Sequence, residues 1–298
     1  DLDSAMNFSR GTFRGGASQC RTILRDAEPS IGPENIMRLN VIAALLLGST
    51  TLCVAQSPGP QRQDSVGGVE SGANWSYEGK TGPVVWGKLD PAYQVCSKGH
   101  EQSPVDIRNT HLDTALQPLE FHYIGGPMNL VNTGHGLVAR VDPGSTMTAN
   151  GVRYQLVAIQ FHHPSEHPIK GKLADMEVDL IHRSDDGKTA IVAVRLNQDR
   201  GFPNALLSTL WPHLPMKPGT SAKVDDMVSA GGLLPADRGY WTYVGSELEP
   251  PCTEGVRWFV FQEELNISRQ QFRALQNLSR MNARPVQDAH GRRIEANE

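Results

Sequence analysis

Short strand-like segments dominate the chain from Trp75 onward, and each is bounded by turn-forming residues. Two further segments, NALLSTLWPHL and SRQQFRALQNLS, space their apolar residues at helical period, and Ser268 has the character of an N-cap. Sequences such as DPGS, ANG and DDGK lie between strand segments, as is typical of hairpins. The pattern therefore predicts a mainly β fold with a large sheet and few helices. The predicted strands are LEFHYI, MNLVN, GLVARVD, RYQLVAIQF, MEVDLIH, AIVAVRL, YWTYVG and VRWFVF.

Composition fits one globular domain with a substantial core. The 298 residues are 39% hydrophobic, and 29 Gly and 20 Pro break the apolar runs into short pieces. The formal net charge is -4, and the longest basic run is the Arg292-Arg293 pair. We therefore expect no nucleic-acid partner.

The first 73 residues have the composition of segments outside the folded domain. Residues 37–55 begin at a Met and contain an early Arg, an apolar run and a Cys-Val-Ala tripeptide, which together predict a signal peptide. The apolar run is shorter than the ~20 residues that a membrane-spanning helix needs. Residues 1–36 are then a misassigned start or unstructured, residues 56–73 a flexible linker, and residues 74–298 the domain. The predicted location is periplasmic or secreted, without a membrane partner after cleavage.

Cleavage would leave two cysteines, Cys96 and Cys252. In an exported chain such a pair most simply forms a disulfide, and the alternative is two buried free thiols.

The segment from Gln160 to His182, QFHHPSEHPIKGKLADMEVDLIH, is rich in histidine. Alternate side chains of a β-strand point to opposite faces, so two zinc ligands on one strand require His-x-His spacing. His162 and His163 are adjacent and are therefore predicted to point apart.

Seven motifs occur in order along about residues 74–295: WSYEG, EQSPVDI, NTGH, PSEH, DRGYWTYVGS, PPCTEGVRWFVF and NARPVQ. Together they resemble the motifs of the bacterial α-carbonic anhydrases. The resemblance implies a large twisted, mostly antiparallel central sheet with peripheral helices, and a Cys96–Cys252 disulfide. It also implies a zinc cofactor, with zinc-hydroxide attack on CO2 to give bicarbonate and a proton.

Compared with that family, the metal-binding strands are altered. The family pattern is QFHFH, then PSEH, then a His two positions after a Glu on the next strand, whereas the first strand here is two residues short. An even deletion preserves strand parity, so His162 keeps the cavity-facing position and His163 becomes a strand-end residue. Asp179 takes the third ligand position. One His and one Asp fall short of the three protein ligands of a catalytic zinc site, which leaves His163 and Glu249 as possible substitutes.

The hydroxide relay is altered as well. The family has Leu-Thr-Thr before its proline pair, and its first Thr relays a hydrogen bond to a buried Glu. Here the residues are Glu247, Leu248 and Glu249, so Glu166 loses its relay partner. Glu247 is predicted to bring a carboxylate into the CO2 pocket, where burial of a charge is costly.

Other family positions are retained. By resemblance, His135 is a proton shuttle, although a plain loop histidine is the alternative, and Tyr77 belongs to the water network. Gln160 and Glu177 match residues that orient metal-bound histidines. The apolar wall of the pocket, which would also be core in any sheet protein, consists of Ile181, Ile191, Val256 and Trp258.

Three functions are compatible with these residues. The first is an exported carbonic-anhydrase-like protein whose zinc hydratase site is lost and which serves in binding or structure, with no metal bound. The second is an active zinc enzyme acting on CO2 and bicarbonate, with local backbone shifts that bring His163 or His167 to the metal. The third is a rebuilt metal site of His162, Asp179 and Glu249 for a harder ion. Neither a protein partner nor an oligomeric state can be read from the sequence.

Overall fold

A computed structural model describes residues 74–198 and 202–298. The predicted misassigned start, signal peptide and linker lie outside these ranges and remain predictions. Among the helices in the described part of the chain, none is both long enough and apolar enough to cross a membrane.

Within those ranges, thirteen strands form one sheet. The strands are β1 (His111–Leu112), β2 (Glu120–His122), β3 (Gly126–Asn132), β4 (Leu137–Val141), β5 (Thr146–Ala149), β6 (Val152–His162), β7 (Met176–Ser184), β8 (Thr189–Asn197), β9 (Ser221–Val228), β10 (Tyr240–Ser246), β11 (Glu254–Phe261), β12 (Leu265–Asn266) and β13 (Glu295–Ala296). The central path of the sheet runs β1-β13-β10-β11-β8-β7-β6-β4-β3-β9. Beside this path, β5 pairs with both β6 and β2, and β12 pairs with β8.

Most neighbouring strands are antiparallel, and the parallel pairs are β1 with β13 and β8 with β11 and β12. The predicted fold class is therefore confirmed, and each of the eight predicted strand segments contributes a strand. The sequence pattern missed β9, an edge strand whose only fully buried side chain is that of Val224. With one buried position in eight residues, β9 lacks the apolar alternation on which strand prediction depends.

In the described part of the chain, four α-helices accompany the sheet: α1 (Trp86–Leu89), α2 (Val95–Lys98), α3 (Ala205–Leu210) and α4 (Arg269–Leu278). The predicted N-cap of α4 is confirmed, because Ser268 accepts from the Gln271 N–H and the Gln271 side chain caps Ser268 in return. The other predicted helix is shorter than expected. It turns into a 3-10 helix at Trp211–His213, where Pro212 removes a backbone donor.

The central strands carry different chemistry on their two faces. On β6, Ile159 and Phe161 join the larger hydrophobic core, to which α3 and α4 contribute their leucines. Gln160 and His162 alternate with them and point to the opposite face. That opposite face holds a smaller apolar cluster together with the predicted site residues.

Cys96 and Cys252 form the predicted disulfide, which joins positions 156 residues apart. Both cysteines are buried and pack with Tyr77 and Trp86. The bridge ties α2 to the loop that precedes β11.

We expect the double variant Cys96→Ser/Cys252→Ser to lose up to about 5 kcal/mol of unfolding free energy, since removal of so long a cross-link restores loop entropy to the unfolded chain. Urea unfolding measures this loss. Reducing agent should destabilise the wild type but not the double variant, and a chelator should barely change either. A wild-type curve that is insensitive to reduction would contradict the prediction.

Candidate active site

The register of β6 and β7 brings the predicted metal residues to one face of the sheet. His162 lies opposite Glu177, and Gln160 lies opposite Asp179. Directly opposed residues of antiparallel strands project to the same side, and residues two apart on one strand do so as well. The four side chains therefore share the face that holds the smaller apolar cluster.

His162 and Asp179 come together in the interior, where both are almost fully buried. His162 Nε2 lies 3.7 Å from Asp179 Oδ2. On its other side, His162 Nδ1 is 2.9 Å from the Asn282 carbonyl oxygen and 3.2 Å from Glu166 Oε1. Because a carbonyl oxygen can only accept, Nδ1 carries a hydrogen and Nε2 faces Asp179. Among the residues that the structure describes, none is a hydrogen-bond partner of His162 Nε2 or of the two carboxyl oxygens of Asp179.

The surrounding charges shift the protonation of both groups. Burial lowers the pKa of His162, but the Glu166 carboxylate, with a smaller contribution from Asp179, outweighs burial and raises that pKa to about 10. Burial raises the pKa of Asp179 well above its usual value, and the carboxylate of Glu177 raises it further while His162 opposes the shift. This pocket therefore favours a charged imidazole and disfavours an ionised Asp179.

His163 does not reach this pair. β6 ends at His162, and the His163 ring turns toward α4, where Nε2 donates to the Ser279 carbonyl oxygen at 3.0 Å. The backbone N–H of His163 donates to Asn282 Oδ1. The predicted divergence of the two adjacent histidines is thus present, and the structure does not bring His163 to the His162–Asp179 pair.

Glu177 is engaged by His167 rather than by a residue at a metal position. Its two carboxyl oxygens lie 2.6 Å from His167 Nδ1 and 3.0 Å from the His167 backbone nitrogen. His167 Nε2 in turn lies 2.7 Å from the Tyr243 hydroxyl, which donates to Ser103 Oγ. Burial opposes ionisation of Glu177, yet the facing imidazole lowers its pKa overall. This chain of four side chains is fully buried and has its hydrogen bonds satisfied internally.

Leu248 occupies the predicted relay position as an apolar core residue. It is 3% exposed and belongs to the cluster that also contains Ile181, Ile191, Val256 and Trp258. Glu166 instead accepts from the Arg284 backbone N–H at 3.0 Å, and its second oxygen has no hydrogen-bond partner. A hydrocarbon side chain at position 248 offers Glu166 no hydrogen bond.

The structure contradicts the predicted place of Glu247. Its side chain is 30% exposed and lies 3.5 Å from the Arg183 guanidinium, so it is not a charge buried in the apolar pocket. Glu247 lies beyond the end of β10, where the pairing with β11 also shifts because β11 holds one extra residue, Gly255, so strand alternation does not set its direction.

Glu249 does turn inward, but toward Tyr77. The Tyr77 hydroxyl donates to Glu249 Oε1 at 3.1 Å. Burial raises the pKa of Glu249, and the charge of His162 opposes this shift. Tyr77 and Glu249 therefore form a pair of their own beside the site.

His135 lies in the loop between β3 and β4 and stacks on Trp75, with ring centroids 3.7 Å apart and planes 9° from parallel. Partial burial lowers the pKa of its imidazole. The stack gives His135 a defined orientation, which distinguishes it from a free loop histidine.

Comparison with known proteins places this fold and its motifs in a family. A family model described as eukaryotic-type carbonic anhydrase matches residues 81–298. The chain belongs to the carbonic anhydrase family.

Relatives of this chain in that family include bacterial and plant proteins. A carbonic anhydrase of Klebsiella pneumoniae is 38% identical over 223 residues, which cover 74% of this chain and 89% of that protein. Dioscorin DB3S of Dioscorea polystachya is 34% identical over 225 residues, covering 72% of this chain and 82% of its own.

Two solved structures have a similar fold. The α-carbonic anhydrase of Thermovibrio ammonificans in complex with sulfanilamide gives a TM-score of 0.73 at 34% identity and covers 75% of this chain and 99% of that chain. A dioscorin complexed with ascorbate gives 0.69 at 32% identity, covering 75% and 97%.

Several contacts of this carbonic anhydrase family member were not predicted. Asn282 contacts both adjacent histidines, Trp75 orients His135, and His167 holds Glu177. Asn282 and Trp75 lie in motifs that the sequence does show, NARPVQ and WSYEG, but a motif alone does not say which side chain it contacts. Among residues 74–198 and 202–298, no group of three His, Cys, Asp or Glu side chains is placed to hold one metal ion.

We expect Asp179→Asn to leave the unfolding free energy at pH 7 unchanged within about 1 kcal/mol, or to raise it. Because the folded pKa of Asp179 is raised, its protonated form contributes fully to stability below the unfolded pKa, near 3.8. That contribution is lost as the pH rises through the folded pKa. Denaturant unfolding at pH 4 and pH 7 measures this. The control is Glu247→Gln, which removes a part-exposed ion pair with Arg183 and should change the unfolding free energy little. A loss beyond about 2 kcal/mol at pH 7, accompanied by loss of a stoichiometric metal, would contradict it.

For His162 the expected pH dependence extends to alkaline conditions. Its folded pKa of about 10 lies above the ordinary 6.5, so its stabilisation is complete below pH 6.5 and is lost as the pH rises toward 10. The stability advantage of the wild type over His162→Gln should therefore shrink by more than about 1 kcal/mol across that window. A pH-independent difference would show that His162 is neutral in the folded protein.

Proposed function

We propose that this protein is an exported member of the carbonic anhydrase family that lacks zinc hydratase activity and serves as a binding or structural module. Export is supported by the predicted signal peptide and by the Cys96–Cys252 disulfide. The observation that carries the loss of catalysis is the pair His162 and Asp179, which meet in the interior without a third ligand.

The residues present do not fit a catalytic zinc. Such a site uses three protein ligands and keeps a fourth position open for water. His162 Nε2 and Asp179 supply two donors 3.7 Å apart, while His163 is bound to the Ser279 carbonyl oxygen and Glu249 to Tyr77. Both candidate substitutes are thus engaged elsewhere.

Changes outside the ligand set support the same proposal. Leu248, buried among apolar side chains, offers no hydroxyl to orient a nucleophile toward CO2. In an active enzyme His135 would carry protons away from a metal-bound water. Without the metal ligands, His135 has no such water from which to take a proton. Both the metal position and the relay position argue against hydration of CO2.

A binding role is compatible with the fold. The solved dioscorin that resembles this chain is complexed with ascorbate, so another protein of this fold binds a small molecule other than CO2. Fold alone does not define a ligand, and this comparison supports only the general class of function.

The rebuilt metal site is the second candidate, and one observation favours it. His162 Nε2 and both oxygens of Asp179 are buried without hydrogen-bond partners, and unsatisfied polar atoms in an interior are costly. A cation between them would remove that cost. The missing third ligand and the charged form favoured for His162 argue against it.

The test is metal analysis of the purified protein together with stopped-flow CO2 hydration before and after zinc loading. We expect hydration at the buffer rate in both states. Zinc bound at His162, with inhibitor-sensitive hydration, would overturn the proposal and establish the active enzyme. A stoichiometric metal that is lost in Asp179→Asn, without hydration, would establish the rebuilt site.

Repair of the site gives a complementary prediction. Insertion of Phe-His after His162, combined with Asp179→His, Glu247→Leu, Leu248→Thr and Glu249→Thr, should restore zinc binding and hydration. The insertion lengthens β6 by an even number of residues, so His162 stays on the face of the sheet that it shares with Glu177.

Asp179→His alone is the matched control, because it provides two histidines, no third ligand and no relay. It should gain at most weak zinc affinity and no hydration. Fast turnover in this single variant would mean that a different residue completes the metal site and that the assignment of the β6 positions is wrong.

A further inference from the structure

Two exposed histidines from distant parts of the chain meet on the surface, apart from the site described above. The ring centroids of His100 and His290 are 5.2 Å apart, with their planes inclined by 64°. Asp288 lies beside them, with Oδ1 3.9 Å from His290 Nδ1. The same oxygen accepts the His290 backbone N–H at 2.7 Å, so the carboxylate is held against the turn that carries the ring.

The loops that carry the two rings are tied together. Arg292 donates from Nη2 to the Gln102 carbonyl oxygen at 2.6 Å and to the Asp288 carbonyl oxygen at 3.0 Å. On the other side, His100 follows α2, whose Cys96 is fixed by the disulfide. The backbones that carry the two rings are therefore held together, which limits the reorganisation that a ligand between them would require.

The local charge favours a cation. Asp288 lies beside His290, and Glu254 Oε1 accepts the backbone N–H of Glu101, the residue after His100, at 2.6 Å. The other nearby cations are directed elsewhere. Lys98 Nζ donates to Gln94 Oε1, and Arg293 Nε lies 3.5 Å from Glu295 Oε1.

The spacing of the rings matches tetrahedral coordination. A zinc–nitrogen bond of about 2.1 Å puts an imidazole centroid about 3.2 Å from the ion, so two imidazoles at a tetrahedral angle have centroids about 5.2 Å apart. At the right angle of square-planar copper the same separation would be about 4.5 Å. The observed separation of 5.2 Å equals the tetrahedral value, so the two rings need only turn a nitrogen toward a shared ion.

We propose that His100 and His290 form a surface site for a tetrahedral divalent metal of the zinc class. Water completes the coordination, because the described residues include no third ligand placed to bind the same ion. The Asp288 carboxylate, 3.9 Å from His290 Nδ1, is too far away for a hydrogen bond and contributes negative charge beside the ring. The ion here is separate from the His162–Asp179 position.

The experiment titrates Zn2+ into the metal-stripped full-length protein by calorimetry in a non-coordinating buffer, with Co2+ absorption as a second readout of tetrahedral geometry. We expect one zinc equivalent in the wild type. His100→Ala and His290→Asn should each weaken it by about tenfold or more, since even the outer partners of metal ligands are worth about 10–100-fold. Asn is chosen at position 290 because His290 has φ of 49°, a backbone region that Asn tolerates.

His213→Ala removes another exposed histidine and should leave the titration unchanged. The proposal is overturned if the wild type takes up no zinc, if both His variants bind like the wild type, or if bound Co2+ lacks the tetrahedral spectrum. If the one equivalent of bound zinc is instead lost in His162→Gln, the metal occupies the buried position between His162 and Asp179. That result would overturn this proposal and would also count against the proposed function, whereas loss in the surface variants alone leaves the proposed function intact.

Discussion

The pairing register of β6 with β7 is the constraint on which the site depends. It places His162 opposite Glu177 and Gln160 opposite Asp179, with the alternating residues Phe161 and Val178 buried in the main core. A slip of one residue would exchange the polar and apolar faces, so the packing of the core fixes the register. Since only an even change in length preserves that parity, a strand two residues shorter than the family pattern can still present His162 to the site.

With His162 held in this position, the surroundings of the neighbouring residues that differ from the family pattern can be explained physically. With Asp179 in place of a histidine, a charged His162 lies between the carboxyl groups of Glu166 and Asp179. Its charge is stabilised mainly by Glu166, while the pocket disfavours an ionised Asp179. Leu248 extends the apolar cluster where a hydroxyl would need a partner. Glu247, which would be costly inside, turns out to Arg183. Leu248 and Glu247 are thus accommodated, whereas Asp179 and Glu166 keep buried carboxyl oxygens that no described residue satisfies.

The fold could be predicted because its signals are local. Strand alternation, turn sequences and the Ser268 cap are each set by a few neighbouring residues, and the disulfide followed from a count of cysteines. Parity correctly separated His162 from His163. The direction of Glu247 could not be predicted because this residue lies beyond the end of β10, where strand alternation no longer applies. The partner of His163 could not be predicted because Ser279 lies at the end of α4, over a hundred residues away. Such contacts are fixed by tertiary packing and leave no pattern in the local sequence.

The chain from Glu177 through His167 and Tyr243 to Ser103 shows why the scaffold can persist whatever happens at the metal position. Both oxygens of Glu177 are bound by His167, and the hydroxyl of Tyr243 joins β10 to the loop at Ser103. None of these hydrogen bonds passes through His162 or Asp179. The hydrogen bonds that support this part of the sheet are therefore separate from the metal-ligand positions, so the fold can be retained while the ligands change. Membership of the family is for this reason a weaker guide to catalysis than the three or four side chains at the centre of the site.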